Sequence, residues 1–265
     1  MNEILVLGAT GSTGRRVTDR LRSAGHQVRP ASRRGEVRFD WNDRDTWRPA
    51  LTGAERLYLM APDDVPVDPE FVAAAVEAGI RRIVLLSSGG IEVMGDERLM
   101  AAERVVRGSG AEWTILRPSW FDQNFDEGVM REAVLAGEVA LPLGEARQAF
   151  VDAGDVAAVA AAALVEDGHE GRSYEVSGPR ALSFGEAVEI IGRASGRTVR
   201  YLGSEADYLA VMTGFGMPEA EVRAQIAAFA ALRDQGDAEP TGVVRQVTGR
   251  PPKSFEEFAK DARWG

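Results

Sequence analysis

The sequence predicts an α/β fold: a doubly wound parallel sheet with a smaller C-terminal lobe. Three observations predict it. The apolar run Ile4-Leu5-Val6-Leu7 stops at Gly8-x-x-Gly11-x-x-Gly14, and the helical stretch Arg15 to Ala24 follows, ending at Gly25. Short apolar runs then alternate with helical stretches through the first half of the chain, the order that builds strand, crossover, strand units. The runs themselves are nearly continuous in apolar residues, as strands buried on both faces must be.

The elements follow in order. Strands are expected near Glu3 to Leu7, Gln27 to Ala31, Glu36 to Phe39, Arg56 to Met60 and Arg82 to Leu86. Asp45 to Leu51 and Asp68 to Ala78 lie between them as helical segments. The second carries Phe71, Val72, Ala75 and Val76 on one face and Gly79 as its stop. A helix from about Asp96 to Gly108 leads through Ser109-Gly110 to a strand, Trp113 to Leu116, that ends at Arg117-Pro118. Beyond Asp152 the pattern changes. Asp155 to Glu166 reads as an alanine-rich helix with Asp155 as its N-cap, and Ser173 to Val176 as a late strand returning to the sheet. Ser183 opens a helix to Ser195, with Glu186 three residues on completing a capping box. Ala206 to Thr213 and Pro218 to Arg233 are further helices. Tyr208, Met212 and Phe215 share one helix face, which points to core. The expected division is a dinucleotide-binding domain over 1–155, to which the strand at 173–176 returns, and a mostly helical substrate lobe over 156–265.

Each glycine of the opening motif has a separate task. Gly8 lets the chain turn out of the strand, Gly11 keeps side-chain bulk away from a phosphate, and Gly14 lets the helix lie close to the sheet. Helix N-terminal N–H groups and the positive end of the dipole then suit an anion. A Rossmann-type fold binding a nucleotide cofactor follows, with Gly8, Thr10, Gly11, Ser12, Thr13, Gly14 and Arg15 as candidate contacts.

Composition narrows the function. The chain has no cysteine and only two histidines, His26 and His169, which excludes thiolate chemistry and argues against a histidine-built metal centre; no metal is expected. A net charge of -10 argues against nucleic acid as a partner. No apolar run reaches membrane-spanning length and no secretory signal is evident, so a cytoplasmic protein with a small-molecule substrate is expected. Monomer and homodimer are both compatible with the sequence. Residues 1–40 nevertheless carry eight arginines against four acids, a local +4 beside the glycine turn that suits a phosphorylated ligand. Arg16, Arg20 and Arg22 read as a solvated helix face.

The end of the second strand selects the cofactor. An acid there accepts bonds from a ribose 2′-hydroxyl, whereas arginine suits a 2′-phosphate. This chain reads Arg29-Pro30-Ala31-Ser32-Arg33-Arg34, with no acid before Glu36, which favours NADP(H) over NAD(H). Asp40, Ala61 and Pro62 fall where the adenine and ribose edges lie in such folds.

With Gly8-Ala9-Thr10-Gly11-Ser12-Thr13-Gly14, Asp40, Ser87-Ser88, the stretch Ser109 to Pro118 and Asn124, the chain resembles the NmrA-like atypical short-chain dehydrogenases/reductases over nearly its whole length. Within that group it looks closest to bacterial relatives of the ergot-alkaloid reductases of festuclavine dehydrogenase type, through Val37 to Trp41, Trp120 to Phe125, Phe150 to Val156 and the late segments Val247 to Pro252 and Ser254 to Phe258. The resemblance implies a C-terminal lobe closing a substrate cleft over the nicotinamide. The chain departs from the wider superfamily at its Tyr-x-x-x-Lys pair. If Glu103 matches the glutamate that often follows the pair, Gly95 and Leu99 stand in its place, and neither exchanges a proton. Tyr58, Tyr174, Tyr201 and Tyr208 lie elsewhere.

Ser87 and Ser88 end the fifth strand, where open α/β sheets place ligands. They are candidate hydrogen-bond donors to substrate or to the nicotinamide ribose, or else satisfy local backbone. Trp120, Phe121, Asn124 and Phe125 are candidate substrate contacts, their alternative being packing beneath the lobe. Asp122, the one ionisable side chain in that run, is a candidate proton donor or partner for a cationic substrate, its alternative being a solvent-exposed aspartate. Asp152 and Asp155 read as structural. The expected activity is reduction of a small or medium organic acceptor (an imine or iminium, a quinone, an activated carbonyl or alkene) by direct hydride transfer. The alternative is an NADP(H)-binding redox sensor that performs no turnover.

Overall fold

The computed structural model describes residues 3–265. The chain runs β1 (Glu3–Leu7), α1 (Ser12–Ser23), β2 (Val28–Ser32), β3 (Val37–Arg38), α2 (Trp47–Leu51), β4 (Ala54–Leu59), α3 (Pro69–Glu77), β5 (Arg82–Leu86), α4 (Ile91–Met94), α5 (Glu97–Arg107) and β6 (Glu112–Pro118). It continues through α6 (Arg131–Ala136), β7 (Glu138–Ala140), α7 (Ala153–Val165), β8 (Arg172–Val176), α8 (Phe184–Ser195), β9 (Arg200–Leu202), α9 (Glu205–Gly214), α10 (Glu219–Asp234), α11 (Val243–Thr248) and α12 (Phe255–Asp261).

Seven strands form one sheet in the order β3-β2-β1-β4-β5-β6-β8, every pair parallel. The order reverses between β1 and β4, and ligands of such sheets bind at that switch point, beyond the strands' C-terminal ends. The late strand does return: β8 pairs with β6, Pro118 beside Val176.

Alternation along each strand splits the core in two. Leu5, Leu7, Ile83 and Leu85 face one side, with Phe71 of α3 and an edge-to-face cluster of Phe39, Trp41 and Trp47. Ile4, Val6 and Val84 face the other, with Leu21 of α1 and the alanines of α7. That helix is buried almost throughout, because its small side chains let it lie close against α1, α11 and the sheet. A separate apolar cluster gathers Phe125, Phe150, Phe184 and Phe255, with Phe150 and Phe184 at 4.9 Å between centroids, and joins α6, α8, α9, α10 and α12 to the small parallel β7–β9 pair.

Several boundaries differ from expectation for local reasons. The segment at 45–51 divides into a 3₁₀ turn, Arg44–Thr46, and α2. The N-cap of α7 is Asp152, whose carboxylate accepts the Gly154 N–H at 2.7 Å. Asp155 sits in that helix's first turn instead, and its carboxylate binds Arg250 and the Lys253 N–H, each at 2.6 Å. The Ser183–Glu186 capping box is present. Phe215 is 84% exposed rather than core, since α9 stops at Gly214 before the next turn can carry it inward. Among the described residues, no helix is long and apolar enough to cross a membrane.

Candidate active site

The glycine turn has the geometry its sequence requires. Gly8 has φ +63°, and its carbonyl accepts the Gly11 N–H at 2.8 Å, closing a tight turn. Gly14 is pinned harder: a Cβ there would lie 2.3 Å from the Gly8 carbonyl oxygen and 3.0 Å from that of Leu7, both rigid backbone. Gly11 is the N-cap of α1 and supplies no side-chain acceptor, and the helix's first turn contains no acid. The orphan N–H groups therefore depend on an anion from outside the helix. At the end of β2 the Ser32 hydroxyl is buried and lacks a hydrogen-bond partner. Arg33 and Arg34 follow it in an exposed turn, and among the described residues no ion pair holds either of them. An uncapped helix, an orphaned hydroxyl and two free guanidinium groups fit a dinucleotide phosphate ester. Asp40 turns inward on itself, its carboxylate accepting the Asn42 N–H at 3.0 Å.

A cleft of about 710 Å³ opens beyond the C-terminal ends of β1, β4, β5 and β6. It brings together eight of the predicted residues: Ser12, Thr13, Ala61, Ser87, Ser88, Trp120, Phe121 and Asn124. Gly8, Gly11, Gly14 and Thr10 shape the turn behind it, and Ser32, Arg33, Arg34 and Asp40 lie off toward β2 and β3. Pro62 stands outside the wall, its carbonyl accepting the Val65 N–H at 3.0 Å. The sequence did not point to the opposite wall, formed by Leu99 of α5, Leu232 at the end of α10, Gln235 and Thr241. No local pattern marks these residues, because α10 reaches the site only through tertiary packing.

Of the predicted catalytic and substrate-contact residues, two do not reach the cleft. Asp122 is 0% exposed rather than solvated, and neither carboxylate oxygen has a hydrogen-bond partner. Burial, with the negative charges of Asp152 and Asp155 adding to it, pushes its carboxyl well above the usual range. Phe125 is likewise fully buried, in the aromatic cluster with Phe150, Phe184 and Phe255. The 3₁₀ turn Asp122–Asn124 explains both, since it directs Phe121 and Asn124 to the cleft and rotates the residues between and after them inward.

The two serines differ. Ser87 is 5% exposed and its hydroxyl donates to Glu103 Oε1 at 2.7 Å. Glu103, itself buried, also accepts from the Arg117 guanidinium at 2.7 and 2.8 Å and from Arg107 at 2.9 Å. Burial alone would raise the Glu103 carboxyl, but the hydrogen bonds from Arg117, Ser87 and Arg107 outweigh it and hold it below its ordinary range. Ser87 thus joins the floor of the cleft. Ser88 has only a long bond to the Gly89 carbonyl, 3.3 Å, and is the hydroxyl free to turn toward a ligand. Leu99, on α5, lines the cleft, and Gly95 (φ +66°) is a turn between α4 and α5.

Arg16 is not a freely solvated charge. With Ser12 and Arg15 it binds Glu127, which follows the Asp122–Asn124 turn: Arg16 Nη2 lies 2.8 Å from Glu127 Oε1, and Ser12 Oγ donates to Oε2 at 3.1 Å.

A parallel sheet reversing at β1/β4, a glycine turn into an uncapped helix and a cleft over the strand ends define a dinucleotide-binding α/β protein. The chain belongs to the NAD(P)H-binding family, whose profile matches residues 8–167, and its similarity to named reductases makes it an oxidoreductase of the NmrA-like atypical short-chain dehydrogenase/reductase type. It is 38% identical to the (4-alkanoyl-5-oxo-2,5-dihydrofuran-3-yl)methyl phosphate reductase of Streptomyces griseus, over 97% of this chain and 97% of the relative. Festuclavine synthase I of Penicillium roqueforti is 31% identical, again over 97% of each chain. In fold it is similar to the NADPH-dependent quinone oxidoreductase QOR2 of Escherichia coli, with a TM-score of 0.80 at 23% identity, covering 97% of this chain and 98% of that one.

Proposed function

We propose that the protein binds NADP(H) in preference to NAD(H) and reduces a small or medium organic acceptor, an imine or iminium, a quinone or an activated carbonyl or alkene, by direct hydride transfer without a tyrosine–lysine pair. The observation that carries this reading is the lining of the cleft. Trp120, Phe121, Leu99 and Leu232 share the lining with the Ser88 hydroxyl and with the charged side chains of Asp63, Asp96, Arg98, Arg117, Glu175 and Glu239, and among the described residues no tyrosine, lysine or histidine lines it. The relatives' names, a reductase of a dihydrofuranone phosphate and a festuclavine synthase, support action on a small organic substrate.

The α1 N-terminus with Ser12 and Thr13 would hold the pyrophosphate, and Ser32, Arg33 and Arg34 the 2′-phosphate. When bound, the reduced nicotinamide supplies the hydride. The chain's own part is positional. Trp120 and Phe121 confine a flat acceptor, Ser88 donates to an acceptor oxygen or nitrogen, and the Ser87–Glu103–Arg117 network keeps the strand ends rigid. Orientation of two reactants in the cleft supplies much of a barrier reduction by itself. Acceptors already electron-poor need no proton in the hydride step, and water can provide one afterwards. α7 and β8 pack with the sheet and so belong to the cofactor side, while Trp120 and Phe121, before residue 155, belong to the substrate side.

Titration with NADPH and NADH, followed by adding quinone, iminium and enal acceptors while reduced-nicotinamide absorbance is recorded, tests the reading. NADPH-selective binding with consumption by one acceptor class is expected. Tight binding with no consumption by any acceptor would instead make the chain a cofactor-binding regulator.

A further inference from the structure

We propose that Glu127 is a resident counter-anion at the phosphate end of α1, which NADP(H) must displace, so that this one carboxylate sets how tightly the cofactor binds. The inference rests on the cofactor reading above and concerns the regulation of that same site.

Four observations carry it. The N-terminus of α1 has neither a side-chain cap nor an acid in its first turn, so the positive end of its dipole is unmatched within the helix. Glu127, more than a hundred residues later in the chain, supplies the missing charge. Its carboxylate accepts from Ser12 Oγ, from Arg15 and from both terminal nitrogens of Arg16, at 3.2 and 2.8 Å for the latter two. These donors occupy positions 1, 4 and 5 of α1, one face of the helix beside the glycine turn, and Ser12 also lines the cleft. Ser12 and Arg15, candidate cofactor contacts, are thus the donors for which a cofactor phosphate and the Glu127 carboxylate compete, while Arg16 holds Glu127 from a neighbouring cavity. Burial raises the carboxyl, but the bonds from Arg16 and Arg15 pull it down to about 2, so it is ionised at every working pH.

The loop carrying Glu127 is tightly built, so the residue is presented rather than wandering. The Gly128 N–H donates to the Gln123 carbonyl at 2.8 Å, and a Cβ on Gly128 would lie 2.9 Å from the Asn124 Cα. Gln123 in turn donates to Asp152 at 2.9 Å and accepts the Ala153 N–H at 2.7 Å, fastening the loop to the start of α7. Asn124 and Phe121, in the same loop, wall the cleft. Release of Glu127 by an arriving phosphate is thereby transmitted to the substrate wall three residues away.

The test compares Glu127→Gln with the wild type by measuring dissociation constants for NADPH, NADH and inorganic pyrophosphate at one fixed salt concentration. Partly exposed ion pairs are typically worth a few-fold each, so loss of the competing charge is expected to tighten binding about three- to tenfold. Tightening for NADPH alone identifies the 2′-phosphate as the competitor, and tightening for all three ligands identifies the pyrophosphate; both support the proposal. Unchanged or weaker binding of all three would overturn it. If the wild type binds neither nucleotide, the cofactor reading itself fails, and that is read from the wild type alone. Should the glutamine variant not fold, Glu127→Asp keeps the charge but is too short to span both arginines, and a smaller tightening in the same direction is expected.

Discussion

Gly14→Ala is the most exacting test of the glycine turn. Two effects oppose one another. Alanine in place of glycine inside a helix gains roughly 0.8–1.0 kcal/mol from backbone entropy. Against this, the new methyl would stand 2.3 Å from the Gly8 carbonyl oxygen, 2.7 Å from the Gly8 carbonyl carbon and 3.0 Å from the Leu7 carbonyl oxygen. All three are backbone atoms of the strand and turn, so no rotamer change relieves the clash. Restoring ordinary contact requires α1 to move about 1 Å from the turn, and overpacking of this kind costs roughly 1–3 kcal/mol, occasionally more. With three contacts to rigid backbone the cost belongs at the upper end of that range, so the net expectation is a loss of about 1–2 kcal/mol, or a fall in Tm of roughly 2–8 °C for a chain of this size. The same displacement moves the α1 N–H groups off the phosphate, so NADPH affinity should fall at least tenfold. Differential scanning calorimetry and a fluorescence titration on the same preparation measure both. A variant with unchanged or higher Tm and unaltered NADPH affinity would refute the argument that close helix–turn contact builds the site.

Three further outcomes are expected. Arg33→Ala with Arg34→Ala should weaken NADPH binding roughly 10- to 100-fold, the worth of one to two charge-assisted hydrogen bonds, and leave NADH nearly unchanged; equal losses in isothermal titration would remove the 2′-phosphate assignment. Glu103→Ala strands Arg117 and the Ser87 hydroxyl, and because Arg117 keeps Glu92 at 2.7 Å the loss should fall near the lower end for a broken buried pair, about 2–3 kcal/mol in urea unfolding. Asp126, raised to about 6 by burial first and then by the adjacent Glu127 charge, holds its proton longer in the folded than in the unfolded chain. Its contribution is therefore complete below about pH 4, declines as pH rises toward 6 and is absent above that. The difference would be about 3 kcal/mol in a dry site, and solvent screening at this half-buried group reduces it to on the order of 1 kcal/mol. Asp126→Asn should accordingly stabilise the protein near pH 7 and leave it unchanged near pH 3.5, as followed by thermal melts across that range.

The sequence by itself determined the sheet, the phosphate turn and the cofactor class, because each rests on local chemistry. Period-two burial separates Ile4 and Val6 from Leu5 and Leu7 whatever packs on them, and a strand followed by Gly8-x-x-Gly11-x-x-Gly14 has few other folded solutions. The Ser183–Glu186 capping box and the return of β8 were legible for the same reason. Only the tertiary structure decided which polar groups meet. A single 3₁₀ turn sent Asp122 and Phe125 inward and Phe121 and Asn124 to the cleft, and no residue type in that run announces the rotation. Glu127 on Ser12, Arg15 and Arg16, Arg250 on Asp155, and Leu232 in the cleft wall join residues tens to hundreds of positions apart. Periodicity and capping read neighbours along the chain, whereas a surface charge finds its partner only after the core has set the distance between the elements that carry the two.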